Sequence, residues 1–289
     1  MFGPLTKLKS HTTKYKLWIS PIAFGLGFVV DLFTLNQIDQ RFDLMILLTH
    51  LTLATFWMGL WHIQRSPIRM FKKWKKFKKW IKKVAPTAMQ FSFGALFSGF
   101  VIFYTKSSSI WISWPFLIIL YVLFLGNETF RKFYKGLFFQ IGVLYFSILT
   151  MSIFLVPLWM KDIGSDIFIL SGLISLLIIG LIFRLMVYKL YSVSTHDHKR
   201  LWLWVGIIWM GVNVLYYEKL IPAIPLSLKD DGIYYHIERK DANTYEAFAP
   251  IEDFWERILP PNQIAKPDGE WIYYYSAIYA PKHFKQKII

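Results

Sequence analysis

The sequence predicts an all-α polytopic membrane bundle of about seven transmembrane helices, followed by a small β-rich or α+β extramembrane domain. Three observations predict it. Apolar stretches of about twenty residues recur through the first 217 positions, each long enough at about 1.5 Å per residue to cross roughly 30 Å of hydrocarbon. Lys and Arg alternate between rich and poor in the segments joining them. From Glu218 onward the composition shifts: eleven of the eighteen acids lie there, with prolines at 222, 225, 250, 260, 261, 267 and 281, which marks a separate aqueous region.

The first span is Leu17 to Leu35, interrupted only by Asp31. Its basic start (Lys7, Lys9, Lys14, Lys16) fits a signal sequence, but no small-x-small cleavage site follows, so it reads as an uncleaved signal anchor. The second span is Leu44 to Gln64, the third Val84 to Thr105, the fourth Ser107 to Asn127 and the fifth Gly136 to Met160. The sixth is Ile167 to Phe183, and the seventh and shortest is Leu201 to Tyr217. Small residues at helical spacing, Gly94 with Ser98 and Gly172 with Ser175, let helices approach closely in lipid. Trp61, Trp111, Trp114, Trp159, Trp202 and Trp204 fall near span ends, as an aromatic belt requires.

Orientation follows from the basic residues of the short segments. Four precede the first span, ten lie between the second and third, three between the fourth and fifth, and four between the sixth and seventh. The intervening segments hold one each: Arg41, Lys106 and Lys161. The basic side is the expected cytoplasmic side. The N-terminus is then inside and residues 218–289 extracytoplasmic. The formal net charge of +15 is a topology signature on this reading, and nucleic acid is not the partner it predicts.

The segment Arg69 to Lys83 reads RMFKKWKKFKKWIKK. On a helix over 69–84 its rings form one stripe and its lysines one cationic face. Lys72, Lys73, Trp74, Lys75, Lys76, Phe77, Lys78, Lys79, Trp80, Lys82 and Lys83 are the expected membrane-surface contacts, with an anionic inner leaflet as partner. A partner-binding helix of the same amphipathic type, or a site for single-stranded nucleic acid, would draw on the same pattern.

Within the spans, Asp31 is the sharpest feature, since a carboxylate in hydrocarbon costs a few kcal/mol unless paired or hydrated. His50 lies at similar depth on the next span, and Asn213 on the seventh shares that layer. An Asp31–His50 pair is the expected intramembrane polar site. Carboxylate and imidazole are the groups of proton relays, and a structural lock between two helices uses the same chemistry. Glu128 with Arg131 or Lys132 reads as a local ion pair on a helix continuing past the fourth span. Arg184 snorkels, and His196, Asp197 and His198 read as loop polarity more readily than as metal ligands.

After the stiff IPAIPLSL linker (Ile221 to Leu228), GIYYHIE (Gly232 to Glu238) and WIYYYSAIYA (Trp271 to Ala280) have strand composition. Tyr245 to Leu259 reads as a helix ended by Pro260 and Pro261, and Lys266 to Gly269 as a turn. Cysteine is absent, so no disulfide frame or thiolate site is available. His236 and His283 stand alone there, and no catalytic, cofactor or metal set stands out.

FVVDLFTLNQID (Phe28 to Asp39), SGFVIFYTKSSS (Ser98 to Ser109), GNETFRK (Gly126 to Lys132), IPAIPLSLKDDGIYYHIER (Ile221 to Arg239) and YYYSAIYAP (Tyr273 to Pro281) carry a resemblance across nearly the whole chain. The chain resembles a bacterial group of multi-pass membrane proteins ending in domain of unknown function 2914. The resemblance implies an envelope protein with a β-rich C-terminal domain outside the membrane, and brings no reaction with it. It also implies further strands beyond Ile289, so the domain reads as cut short.

The expected function is therefore that of an envelope protein whose bundle anchors an extracytoplasmic domain binding a protein, glycan or lipid. A transporter or proton-responsive sensor built on Asp31 and His50 is the alternative. A membrane enzyme acting on lipid or glycan is the third reading.

Overall fold

The structure, a computed structural model, describes residues 28–33, 35, 41–63, 75–108, 110–188, 195–222, 227–234, 236–241, 244–248 and 273–279. Helix α1 is described over residues 28–33, and the Leu35 amide donates to the Asp31 carbonyl at its end. Then follow α2 (Arg41–Ile63), α3 (Lys75–Lys106), α4 (Ile110–Gly126) and a 3₁₀ segment (Thr129–Lys135). After these come α5 (Leu137–Met160), α6 (Ser165–Ile182), a π-helical turn (Phe183–Tyr188) and α7 (Thr195–Tyr217). Residues 17–27 of the first expected span, and Lys72, Lys73 and Trp74, lie outside the described residues.

Among the described residues, four helical stretches are long and apolar enough to cross a membrane: Phe42–His62, Lys76–Lys106, Leu137–Met160 and Ser165–Leu185. Trp111–Gly126 is a shorter apolar helix, about 24 Å long, which a thinned or locally adapted bilayer accommodates. Helix α7 combines the polar turn THDHKR with an apolar remainder. The outward faces of these helices are apolar: Leu53 and Phe56 on α2, Ile118 and Val122 on α4, Leu177 and Leu181 on α6, Met210 and Val214 on α7 are all exposed. A water-soluble surface avoids contiguous apolar area on this scale.

Helix α5 is the hub. It packs against α2, α3, α6 and α7, and Gln140–Phe154, Val156 and Pro157 are buried. Apolar burial gains little over lipid contact, so close packing and interhelical hydrogen bonds must hold such a bundle. Ring contacts supply the packing: Phe103 stacks on Phe154, and Tyr104 tilts against Phe116. The Tyr104 hydroxyl donates to the Thr150 carbonyl at 2.9 Å, tying α3 to α5. At Gly99, α2 and α3 meet so closely that a Cβ would stand 2.4 Å from a Leu47 methyl. Trp61, expected in the aromatic belt, is instead 2% exposed. It follows Leu47, Ala54 and Met58 along one buried face of α2, and that face outranks nearness to the span end.

Two helix ends rest on left-handed residues. Lys161 (φ 57°) follows α5 and donates its amide to the Pro157 carbonyl. Lys219 (φ 59°) follows α7, with its amide on Tyr216 and the Leu220 amide on Leu215, the paired bonds of a Schellman cap.

By backbone contacts, residues 226–280 form a compact unit of their own. Its described strands are β1 (Ser227–Tyr234), β2 (His236–Asp241), β3 (Thr244–Phe248) and β4 (Tyr273–Tyr279). β1 pairs antiparallel with β4, and β2 with β3 in a tight hairpin. Tyr245–Phe248 is thus strand, where a helix over 245–259 was expected. The hairpin partner ends at Asp241, close by in sequence, so pairing wins over the weak helical pattern. The remainder of that expected helix and the 266–269 turn lie outside the described residues.

Candidate functional site

Two polar layers lie inside the bundle. The first is built on Asp31, whose carboxylate accepts a hydrogen bond from the Ser98 hydroxyl of α3 at 2.5 Å. His50 of α2 lies within electrostatic reach of that carboxylate. The His50 ring meets Phe91 edge-on at 5.9 Å between centroids, and its buried Nδ1 has no hydrogen-bond partner among the described residues. Ser98 precedes Gly99, where a Cβ would meet Leu47 of α2 and also Leu35 just past α1, so close packing of both against α3 accompanies the Ser98–Asp31 bond. Four residues on, the Leu35 carbonyl accepts from Lys106 Nζ at 3.0 Å, and Lys106 also lies near the fully buried Asp43. The expected pair is therefore a three-helix arrangement in which Ser98, not His50, makes the direct bond. Asn213 takes a different position: its amide donates to the Trp209 carbonyl of its own helix. It lines a 430 Å³ groove with Ile169, Trp209, Met210, Val214, Tyr217 and Glu218.

The second layer lies at the other end of the bundle. His62 Nε2 is 2.7 Å from Gln140 Oε1, Gln140 Nε2 donates to the Tyr134 carbonyl at 2.5 Å, the Tyr134 hydroxyl donates to Asn127 Oδ1 at 2.6 Å, and Asn127 Nδ2 donates to the Gln90 carbonyl at 2.9 Å. His62, Gln140, Tyr134 and Asn127 are all buried. A carbonyl can only accept, so the Tyr134 oxygen fixes the orientation of the Gln140 amide, and His62 must donate from Nε2. The chain of bonds joins α2, α3, the end of α4, the 3₁₀ segment and α5. Sequence reading missed it. The signal was present as a glutamine four residues into an uncharged span, a costly placement in lipid without partners.

This layer also bears on the ion pair expected of Glu128 with Arg131 or Lys132. Helix α4 stops at Gly126, where a Cβ would strike the Phe130 ring at 2.6 Å, and the chain turns into the 3₁₀ segment. The α-helical i to i+4 spacing of Glu128 and Lys132 is therefore lost. Among the described residues Glu128 caps the segment without a side-chain hydrogen bond and makes no ion pair with Lys132, and the Arg131 side chain lies outside the described residues.

The lysine-rich segment is continuous with one of the helices long and apolar enough to cross a membrane. Lys75 begins α3, and Lys76, Phe77, Lys78, Lys79, Trp80, Lys82 and Lys83 occupy its first turns without a break before the apolar part. Phe77 stacks on Trp80, and Trp80 meets Trp57 of α2 at 6.0 Å. At the start of α7, Asp197 lies 4.0 Å from Arg200, and the Trp202 indole donates to His198. Among the described residues no group of three or more His, Cys, Asp or Glu side chains is placed to hold a metal ion.

Comparison with known protein families, characterised proteins and solved structures finds no match to this chain. Helix length and hydropathy alone thus give the coarse assignment: a mainly α-helical chain with, among the described residues, four helices long and apolar enough to cross a membrane.

Proposed function

We propose that this chain is a bacterial envelope protein of the inner membrane, whose helix bundle anchors an extracytoplasmic, β-rich binding unit. The observation that carries the reading is the division of the chain into a helical unit with an apolar exterior and a separate strand-bearing unit, residues 226–280. Burial of α5 along nearly its whole length supports an anchor, because its close contacts leave the hub helix packed on all sides. The basic segments on one side and the acid-rich region after the last span support the orientation, with residues 218–289 outside. The resemblance to proteins carrying domain of unknown function 2914 points the same way. The test is site-specific photo-crosslinking in cells from Glu238, Lys240 and Tyr273, which are exposed on the strands. A discrete adduct with an envelope protein, glycan or lipid is expected. Absence of adducts from all three positions, with the protein present in the membrane, would refute a binding unit there.

A second reading rests on the Asp31–Ser98 bond with His50 in electrostatic reach. These groups suit a proton-responsive or transport site. Proton flux in reconstituted vesicles that is lost in both Asp31→Asn and His50→Gln would favour it over the anchor, and a tight bilayer with the intact chain would exclude it.

A further inference from the structure

Helix α3 holds 32 residues, about 48 Å, and exceeds the hydrocarbon thickness by roughly 18 Å. Its first turns therefore reach the headgroup layer as part of the same continuous helix, which includes Pro86. Six lysines lie between Lys75 and Lys83, and no acid occurs anywhere in α3. On the exposed side, Lys76 and Lys83 stand one turn before and after Trp80, with Phe77 stacked beside it. Beside them, Trp57 and Phe56 of α2 extend the aromatic surface, and farther along the same side of α3 Phe91, 67% exposed, meets His50. From Trp80 to Phe91 the helix rises about 16 Å, close to the depth of one leaflet's hydrocarbon, about 15 Å.

We propose that the exposed α2–α3 seam is a seat for an anionic phospholipid, with the phosphate held by Lys76 and Lys83 and one acyl chain lying along Trp80, Trp57 and Phe91 toward His50. This rests on the reading of the bundle as membrane-spanning. Charge complementarity selects the occupant: a cationic rim on a helix that carries no acid disfavours an ammonium headgroup and favours a net negative one. The ring stripe beneath it matches a chain and not a free phosphate. The seat joins a headgroup contact at one face to the Phe91–His50 contact beside Asp31, so the bound lipid contributes to the packing of the polar layer.

The experiment uses the full chain in vesicles containing a phosphatidylglycerol analogue with a photoreactive group at mid-chain. Adducts are expected in the peptides carrying Trp57, Trp80 and Phe91. Unlabelled phosphatidylglycerol should compete, and phosphatidylcholine and soluble glycerol phosphate should not. Lys76→Gln with Lys83→Gln should weaken competition by roughly twenty-five-fold, about five-fold per lysine. Trp80→Ala should reduce adduct yield with all charges kept, and Lys132→Gln with Lys135→Gln should leave it unchanged. Equal labelling by a phosphatidylcholine analogue, competition by glycerol phosphate, or an equal loss in the Lys132/Lys135 variant would overturn the seat. Release of the chain from vesicles by alkaline washing would instead overturn the spanning reading, and the seat with it.

Discussion

Replacing Gln140 by leucine keeps the side-chain bulk and removes both ends of a two-bond bridge. His62 loses its 2.7 Å acceptor, and the Tyr134 carbonyl loses its 2.5 Å donor. Both are buried among α2, α5 and the 3₁₀ segment. Interhelical hydrogen bonds in membrane bundles average about 0.6 kcal/mol and reach about 1.7. An unpaired buried polar group costs about 1–3 kcal/mol. The expected loss is therefore about 1–3 kcal/mol, smaller than two full desolvation penalties because the denatured chain in detergent also finds partners. The assay is reversible unfolding in mixed micelles, followed by tryptophan fluorescence. A cycle with His62→Phe isolates one bond and should return a coupling of about 0.6–1.7 kcal/mol. A loss below about 0.3 kcal/mol, or strict additivity in the cycle, would show that the bridge does not hold the helix ends together.

The same unfolding assay checks three further expectations. Gly99→Ala places a methyl 2.4 Å from Leu47 Cδ2 in a closed seam and should cost about 1–3 kcal/mol, with Leu47→Ala relieving part of it; an unchanged midpoint would deny the close contact. Ser98→Ala removes the donor to the Asp31 carboxylate and should cost about 1.5–3 kcal/mol in wild type but much less in an Asp31→Asn background; equal costs in the two would contradict the bond. Lys161→Gly relieves a left-handed residue (φ 57°) at the end of α5 and should stabilise by about 0.5–1 kcal/mol, so any destabilisation would contradict that cap geometry.

Apolar run length is a local property, and so the long helices were readable from the sequence. α5 appears within a residue or so of the expected Gly136 to Met160, and the aromatic run Tyr273–Tyr279 is strand. What depended on distant pairing was not readable. Asp31 announced a need for a partner, yet Ser98 lies 67 positions away and wins by the close approach at Gly99. Gln140 and His62 are 78 positions apart, and neither breaks its apolar context enough to declare the other. Trp61 was misplaced because nearness to a span end says nothing of which face a ring occupies, whereas its spacing from Ala54 and Met58 did. Tyr245–Phe248 was misassigned because a five-residue strand is set by its hairpin partner more than by its own periodicity.

The central claim is that the lysine-rich start of α3 and the strand-bearing unit face opposite sides of a membrane. Cysteine is absent from the chain, so single replacements at Lys75 and Asp241 give a clean background for a membrane-impermeant maleimide applied to intact cells with any outer membrane permeabilised. The account predicts labelling at position 241 and protection at 75 until the inner membrane is opened. Labelling at 75 with protection at 241, or equal labelling at both in sealed cells, would contradict it.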